Sequence, residues 1–266
     1  MDYCILLGTA QDAGVPQIGC DCENCAAARK YLALKRRVAA LGIVLEDERK
    51  IFLVDATPDF VSQADELRLR MPARKSANSL DGIFITHLHI GHCFGLIYLG
   101  RESAHADALP VYASSKNCEF LKINKPFAHL VNRGEIKLVE MGKEAIPLGG
   151  GVSVRTLRVK HRHEDGDTCG FVISGRKRKI AYLPDLDEWD EVSDAAVRGA
   201  DVAILDGTFA AAAEIPKRAD AKVAHPAMDE TRRRFADAKT EIVFTHFNHT
   251  NPNAAGPEKG DVIFEL

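Results

Sequence analysis

The chain has 266 residues, 46% of them hydrophobic, and a formal net charge of −3. This is enough apolar material for a buried core, and it offers no bulk electrostatic attraction for nucleic acid or an anionic membrane. The apolar runs fall far short of the ~20 residues a membrane helix needs. The seven cysteines, three of them within residues 20–25, suit metal in a reducing compartment better than a disulfide framework, so a cytoplasmic location is expected.

Residues 3–8 are expected to form a buried strand, because the N-terminus lacks the basic and long apolar stretches of a signal peptide. A Gly/Pro-rich loop from Gly8 to Gly19 leads to the cysteines, and Ala26–Arg37 has helical composition. Val38–Leu45 and Ile51–Val54 flank a polar turn, as in a hairpin. A helix is expected from Thr57-Pro58 to Met71, with Thr57 as N-cap and Pro58 at its first position. A strand ending at Thr86 and a helix near Gly95–Arg101 close the first half. Strands follow at Pro110–Ala113, Glu135–Glu140, Val152–Val159, Phe171–Ser174, Lys179–Leu183, Val202–Asp206 and Glu241–Thr245. Helices are expected near Lys116–Ile123, Val192–Arg198 and Asp229–Asp237. β-rich runs with helices in both halves predict a single domain of layered α/β type spanning residues 1–266.

Three histidines fall within Thr86-His87-Leu88-His89-Ile90-Gly91-His92, directly after the apolar run Ile83-Phe84-Ile85. Imidazole is the commonest metal-binding side chain. On extended backbone His87 and His89 point the same way, and Gly91 lets the chain turn to bring His92 near. Other strands also end in ligand types. His161 and His163 follow Val152–Val159, Asp185 and Asp187 follow Lys179–Leu183, and His246 and His249 follow Glu241–Thr245. His161 is preferred over His163 because it lies nearer its strand end. Loops at strand ends carry function in α/β folds.

This constellation resembles the metallo-β-lactamase fold superfamily, with its His-x-His-x-Asp-His motif. The resemblance implies an αββα sandwich of two mixed β-sheets flanked by helices. It also implies a first metal site from His87, His89 and His161 with an open position, and a second from His92, Asp185 and His246. Asp55, in Leu53-Val54-Asp55-Ala56, matches the aspartate that closes an early strand and supports the site. Gly91 stands where the superfamily has its motif aspartate. Either Asp187 or His249 substitutes for that acid, or the second metal binds weakly or not at all.

Cys20-Asp21-Cys22-Glu23-Asn24-Cys25 places three thiols in six residues, as tetrahedral zinc would use, and needs a fourth ligand. With the preceding Gly14–Gly19 it resembles the branch that holds PhnP-type phosphodiesterases and PqqB-type proteins of pyrroloquinoline-quinone biosynthesis. In the phosphodiesterases a late histidine completes a structural zinc site with the three cysteines, and the matching residue implied here is His225 in Ala224-His225-Pro226. Gly95–Glu102 and His246–Pro252 resemble the PqqB side.

The expected activity is that of a metal-dependent hydrolase. Zinc would lower the pKa of bound water to about 7 and supply hydroxide, with a phosphodiester or another ester as substrate. Asp185 and His246 are the expected catalytic residues: Asp185 bridges or orients, and His246 completes the second site or stabilises an oxyanion. One structural and one or two catalytic zinc ions are expected, with iron or manganese as alternatives at the catalytic site. The alternatives are a PqqB-like oxidative enzyme with a mononuclear metal on His87, His89 and Asp185, and a non-catalytic metal-binding protein. Expected partners are a small-molecule substrate and, as a homodimer, a second copy of the chain. Neither nucleic acid nor membrane is expected.

Overall fold

The computed structural model describes residues 1–72, 78–162, 166–214, 224–256 and 262–266. The first sheet begins with β1 (Asp2–Gly8), β2 (Ala40–Leu45) and β3 (Lys50–Val54), all antiparallel neighbours. It continues in parallel through β4 (Gly82–Phe84), β5 (Leu109–Ala113) and β6 (Ile136–Glu140). The second sheet starts with the antiparallel β7 (Ile146–Gly149), β8 (Val152–Arg158), β9 (Cys169–Ser174) and β10 (Lys179–Leu183). It ends with β11 (Val202–Asp206) and β12 (Glu241–Thr245), parallel to β10. The chain then returns to pair β13 (Ile263–Glu265) beside β1. The result is two mixed sheets of seven and six strands with flanking helices, as the sequence resemblance implied.

Pattern explains the layering. All six residues of β2 are buried, as are all five of β11, which suits strands covered on both faces. Between the sheets Phe84 stacks on Tyr112 at 4.5 Å and meets Phe171 edge-on at 5.7 Å. Outside the first sheet lie α2 (Phe60–Arg70), α4 (Ser115–Ile123) and α5 (Phe127–Asn132); α1 (Glu23–Lys30) precedes them in the chain and the short α3 (Ile90–Cys93) falls between α2 and α4. Outside the second sheet lie α6 (Glu191–Arg198) and α7 (Met228–Arg234). No helix among the described residues is long and apolar enough to cross a membrane.

Several element ends differ from the sequence expectation. The helix expected over Ala26–Arg37 is α1 plus one 3-10 turn at Leu32–Leu34. Beyond it Arg36 is extended, bridging to Val15, and its buried guanidinium donates to Ala254 O at 3.0 Å and Thr9 Oγ1 at 2.8 Å. Thr57 lies before α2 rather than capping it; its hydroxyl accepts from Asp59 N and donates to Gln63 Oε1. The run at Gly95–Arg101 is a 3-10 helix over Phe94–Leu99. The sequence pattern did not mark α3, α5, β7 or β13.

Candidate metal centre

Six strands deliver side chains to one crevice at the edges of both sheets. Asp55 follows β3, His87 follows β4, His161 follows β8, Asp185 follows β10, Asp206 ends β11 and His246 follows β12. Crevices outside the carboxyl ends of strands are the usual binding places of open α/β sheets. Asp55 and His246 both adopt left-handed backbone, at φ 68° and 60°. That conformation costs a non-glycine residue energy and is held where the surroundings over-determine it.

The histidines are oriented from behind. Asp55, fully buried, accepts from Thr86 N at 2.8 Å, from the Thr86 hydroxyl at 2.9 Å and from His92 Nδ1 at 2.8 Å. Since that hydroxyl donates its one proton to Asp55, it accepts from His87 Nδ1 at 3.0 Å. His161 Nδ1 donates to Asp187 Oδ1 at 2.9 Å, and His225 Nδ1 to Asp206 Oδ2 at 2.7 Å. His246 Nδ1 faces Thr208 Oγ1 at 3.3 Å. Such outer hydrogen bonds fix the tautomer and leave Nε2 with its lone pair toward the centre.

Those lone pairs converge in two groups. In the first, His87 Nε2 lies 2.9 Å from His89 Nδ1, and His161 Nε2 lies 3.4 Å from the same atom. Asp185 Oδ2 lies 3.3 Å from His87 Nε2 and 3.2 Å from His161 Nε2. Two ligand atoms on one tetrahedral zinc are about 3.3 Å apart, given bonds of about 2.0–2.1 Å. In the second group His92 Nε2 and His246 Nε2 are 3.3 Å apart, and Asp185 Oδ2 is 3.8 Å from His246. Asp185 thus belongs to both groups. Its Oδ1 is buried and makes no hydrogen bond. A buried carboxylate oxygen without a partner is costly, and the donor set around it fits a divalent ion.

Electrostatics fit the same picture. Burial, reinforced by charge on His92, holds the proton affinity of His87 well below the ordinary imidazole value. Burial also lowers His89 and His246, so these rings are neutral, as ligation requires. For Asp185, burial opposes the charge, but His246, His87 and His161 outweigh it and hold the carboxyl well below the usual carboxylate range. His92 is buried too, yet Asp55 raises it to about 9, so without an ion its Nε2 carries a proton at neutral pH that ligation would release. His89, with its side chain 33% exposed, opens the first group to solvent beside Arg162, Gly166 and Thr168.

Two expectations are corrected. His225 is not the fourth partner of the cysteines. Its ring sits beside Asp185, with Nδ1 3.5 Å from Asp185 Oδ1 and bonded to Asp206, and with Nε2 3.1 Å from Arg162 Nη2. The fourth corner is His249, whose Nδ1 lies 3.3, 3.4 and 3.7 Å from the sulfurs of Cys20, Cys22 and Cys25. A thiolate and an imidazole on one zinc are about 3.5 Å apart. That position commits His249 to the cysteines, and the bond to His161 commits Asp187, so neither replaces the acid missing at Gly91. His163 lies outside the described residues, so the pairing of His161 alone is described. The residues the sequence reading passed over are Thr86, Thr208, Asp206 and Asp12. Asp206 ends a buried strand beside the others, a signal that was in plain view; the loop residue Asp12 had none.

A family profile described as a beta-lactamase superfamily domain matches residues 50–262. Coenzyme PQQ synthesis protein B of Cupriavidus taiwanensis is 28% identical over 97% of this chain and 93% of its own. Among solved structures, zinc-bound PqqB from Methylobacterium extorquens superposes with TM-score 0.77 at 22% identity, covering 95% of this chain and 91% of that one. A diphosphatase from the PhnP family superposes with TM-score 0.72 at 25% identity, covering 100% and 98%. With its two-sheet sandwich and a buried His/Asp metal-binding group at the strand ends, the chain belongs to the metallo-β-lactamase superfamily.

Proposed function

We propose that the chain is a metal-dependent hydrolase of phosphoesters, with zinc as the metal. The observation that carries this reading is the convergence of His87 Nε2, His89 Nδ1, His161 Nε2 and Asp185 Oδ2 on one point, three of the four buried. An ion bound there would lower the pKa of a water to about 7 and supply Lewis acidity toward a phosphoryl oxygen. His87, His89 and His161 would hold the ion, and His92, Asp185 and His246 a second.

The chain's own groups support an anionic substrate. Arg162, with 37% of its side chain exposed, stands at the mouth beside Asp187 and His225. Its guanidinium suits bidentate contact with phosphate oxygens. Burial disfavours charge on His225, but the Asp206 carboxylate outweighs burial and raises the ring to about 9. A ring of that affinity, turned toward a substrate in place of Arg162, can donate a proton to a departing oxygen. The PhnP-family neighbour is a diphosphatase, which favours phosphoryl chemistry over acyl chemistry.

A second reading is oxidative chemistry on a single iron held by His87, His89 and Asp185, favoured by the relatives named for coenzyme PQQ synthesis. Zinc-loaded protein is expected to hydrolyse members of a phosphodiester and diphosphate panel, and His87→Ala to abolish that turnover. A His87→Ala protein with undiminished turnover would refute the hydrolase. Iron in the protein as purified, with oxygen uptake and no hydrolysis, would favour the second reading.

A further inference from the structure

We propose that Asp12, from the loop after β1, supplies the acidic ligand of the second metal site that position 91 lacks. The inference rests on the metal-dependent reading above and deepens it: the centre holds two ions despite the glycine.

The geometry has three parts. First, the Asp12 carboxylate occupies the space a side chain at position 91 would need. A Cβ built on Gly91 would lie 2.6 Å from Asp12 Cα and 3.0 Å from its Cγ, and closer still to Oδ1. The glycine and the aspartate therefore fit one another. Second, the carboxylate is aimed. Gly91 N donates to Asp12 Oδ1 at 3.0 Å, and that oxygen lies 4.0 Å from His92 Nε2, the atom facing His246. Among the described residues, Asp12 is the carboxylate that comes within 4.0 Å of His92 Nε2. One carboxylate oxygen keeps a lone pair for an ion while accepting one hydrogen bond. Third, the loop is fixed on both sides. Ala10 N donates to Arg37 O at 2.9 Å, Gln11 N to Phe247 O at 3.0 Å and Gly14 N to Gln11 O at 2.7 Å.

The ligand atoms of His92, His246 and Asp185 converge, and Asp12, approaching from the His92 side, would complete with them a mixed nitrogen and oxygen set of the kind zinc accepts. The superfamily's motif would place this carboxylate one residue before His92. Here a carboxylate arrives from the loop after β1, bonded to Gly91 N and 4.0 Å from His92 Nε2.

The test is zinc stoichiometry and affinity in the full chain, measured by atomic spectrometry and competition with a chromophoric chelator. Wild type is expected to hold two ions at the His/Asp centre and one at the cysteines. Asp12→Asn and Asp12→Ala should each weaken one centre ion by at least about tenfold and leave the other in place. The cobalt–thiolate absorption of the cysteine site serves as the control that these variants fold. The inference is overturned if wild type holds one ion at the centre, or if both Asp12 variants bind the second ion with wild-type affinity. If His87→Ala holds as much zinc as wild type, the metal-dependent reading itself fails, a result that the Asp12 variants alone cannot produce.

Discussion

Replacing Asp55 by asparagine probes the support of the site without touching a proposed ligand. Both Asp55 and His92 are fully buried, and their atoms are 2.8 Å apart. Burial alone would depress the His92 proton affinity, yet the carboxylate raises it to about 9. Against an unfolded imidazole near 6.5, such a shift stabilises the metal-free fold by about 2–3 kcal/mol at pH 7. The sign follows from linkage: a raised affinity stabilises below the unfolded value, and the effect is lost as pH climbs through about 9. Asparagine keeps an acceptor for Thr86 N and the Thr86 hydroxyl but offers His92 no charge. Urea denaturation of chelator-treated Asp55→Asn should therefore show a loss of about 2–3 kcal/mol at pH 7, shrinking to about 1 kcal/mol near pH 10, the size of one neutral hydrogen bond. With zinc present, the same change should weaken the second centre ion about 10–100-fold, because the amide no longer fixes the Nδ1–H tautomer of His92. A loss that is equal at the two pH values, or no loss at all, would refute this account of Asp55.

The metal-free protein as a whole should be most stable near the ordinary imidazole pKa of about 6.5. Below that value the unfolded chain takes up protons before buried His87, His89 and His246 do, and above it the support from His92 and His225 drains away toward about pH 9; melting temperatures across pH would check this. His249→Ala should abolish the cobalt–thiolate absorption of the cysteine site while His225→Ala leaves it intact, and the reverse result would restore the sequence expectation. Gly91→Asp, which writes the superfamily motif back into the chain, should weaken zinc binding and lower the melting temperature, because its Cβ falls 2.6 Å from the Asp12 backbone. Tighter binding in that variant would show that the loop yields easily.

The ligand candidates were legible because strands announce their ends. An apolar run closing in His, Asp or His-x-His marks where a buried strand meets a crevice, and His87, His89, His161, Asp185 and His246 fall after such strands, with His92 following on α3. Asp55 was legible in the same way. What could not be read were pairings across the chain. His225 and His249 are both late histidines, and nothing local says which one reaches residues 20–25. The choice is made by how β12 exits, which carries His249 Nδ1 to 3.3 Å from Cys20 Sγ, while Asp206 at the end of β11 takes His225. Helix ends were misread where tertiary bonds override composition. Arg36 has helical propensity, yet its guanidinium bonds Thr9 and Ala254 only from an extended backbone. The short β7 and β13 lie at sheet edges, where neighbouring strands rather than alternation decide pairing.

The two clusters are not independent features. The segment from Thr9 into the first turn of α1 carries Asp12 near one end and the three cysteines at the other. Phe247 lies between His246 of the centre and His249 of the cysteine cluster. Its N–H donates to Thr9 O at 2.8 Å and its carbonyl accepts from Gln11 N at 3.0 Å. Asn24 adds a bond to His249 O and one to Asn251 O, each at 3.0 Å. An ion held by the cysteines and His249 would therefore clamp the same loop at its far end and fix the segment after β12 from which His246 enters the centre. The cysteine cluster shares no ligand with the His/Asp groups. The effect of such an ion would be mechanical, limiting the motion of the backbone that presents Asp12 to Gly91 and His246 to His92. Positional precision of a fraction of an ångström is what a centre built from five separate chain segments requires.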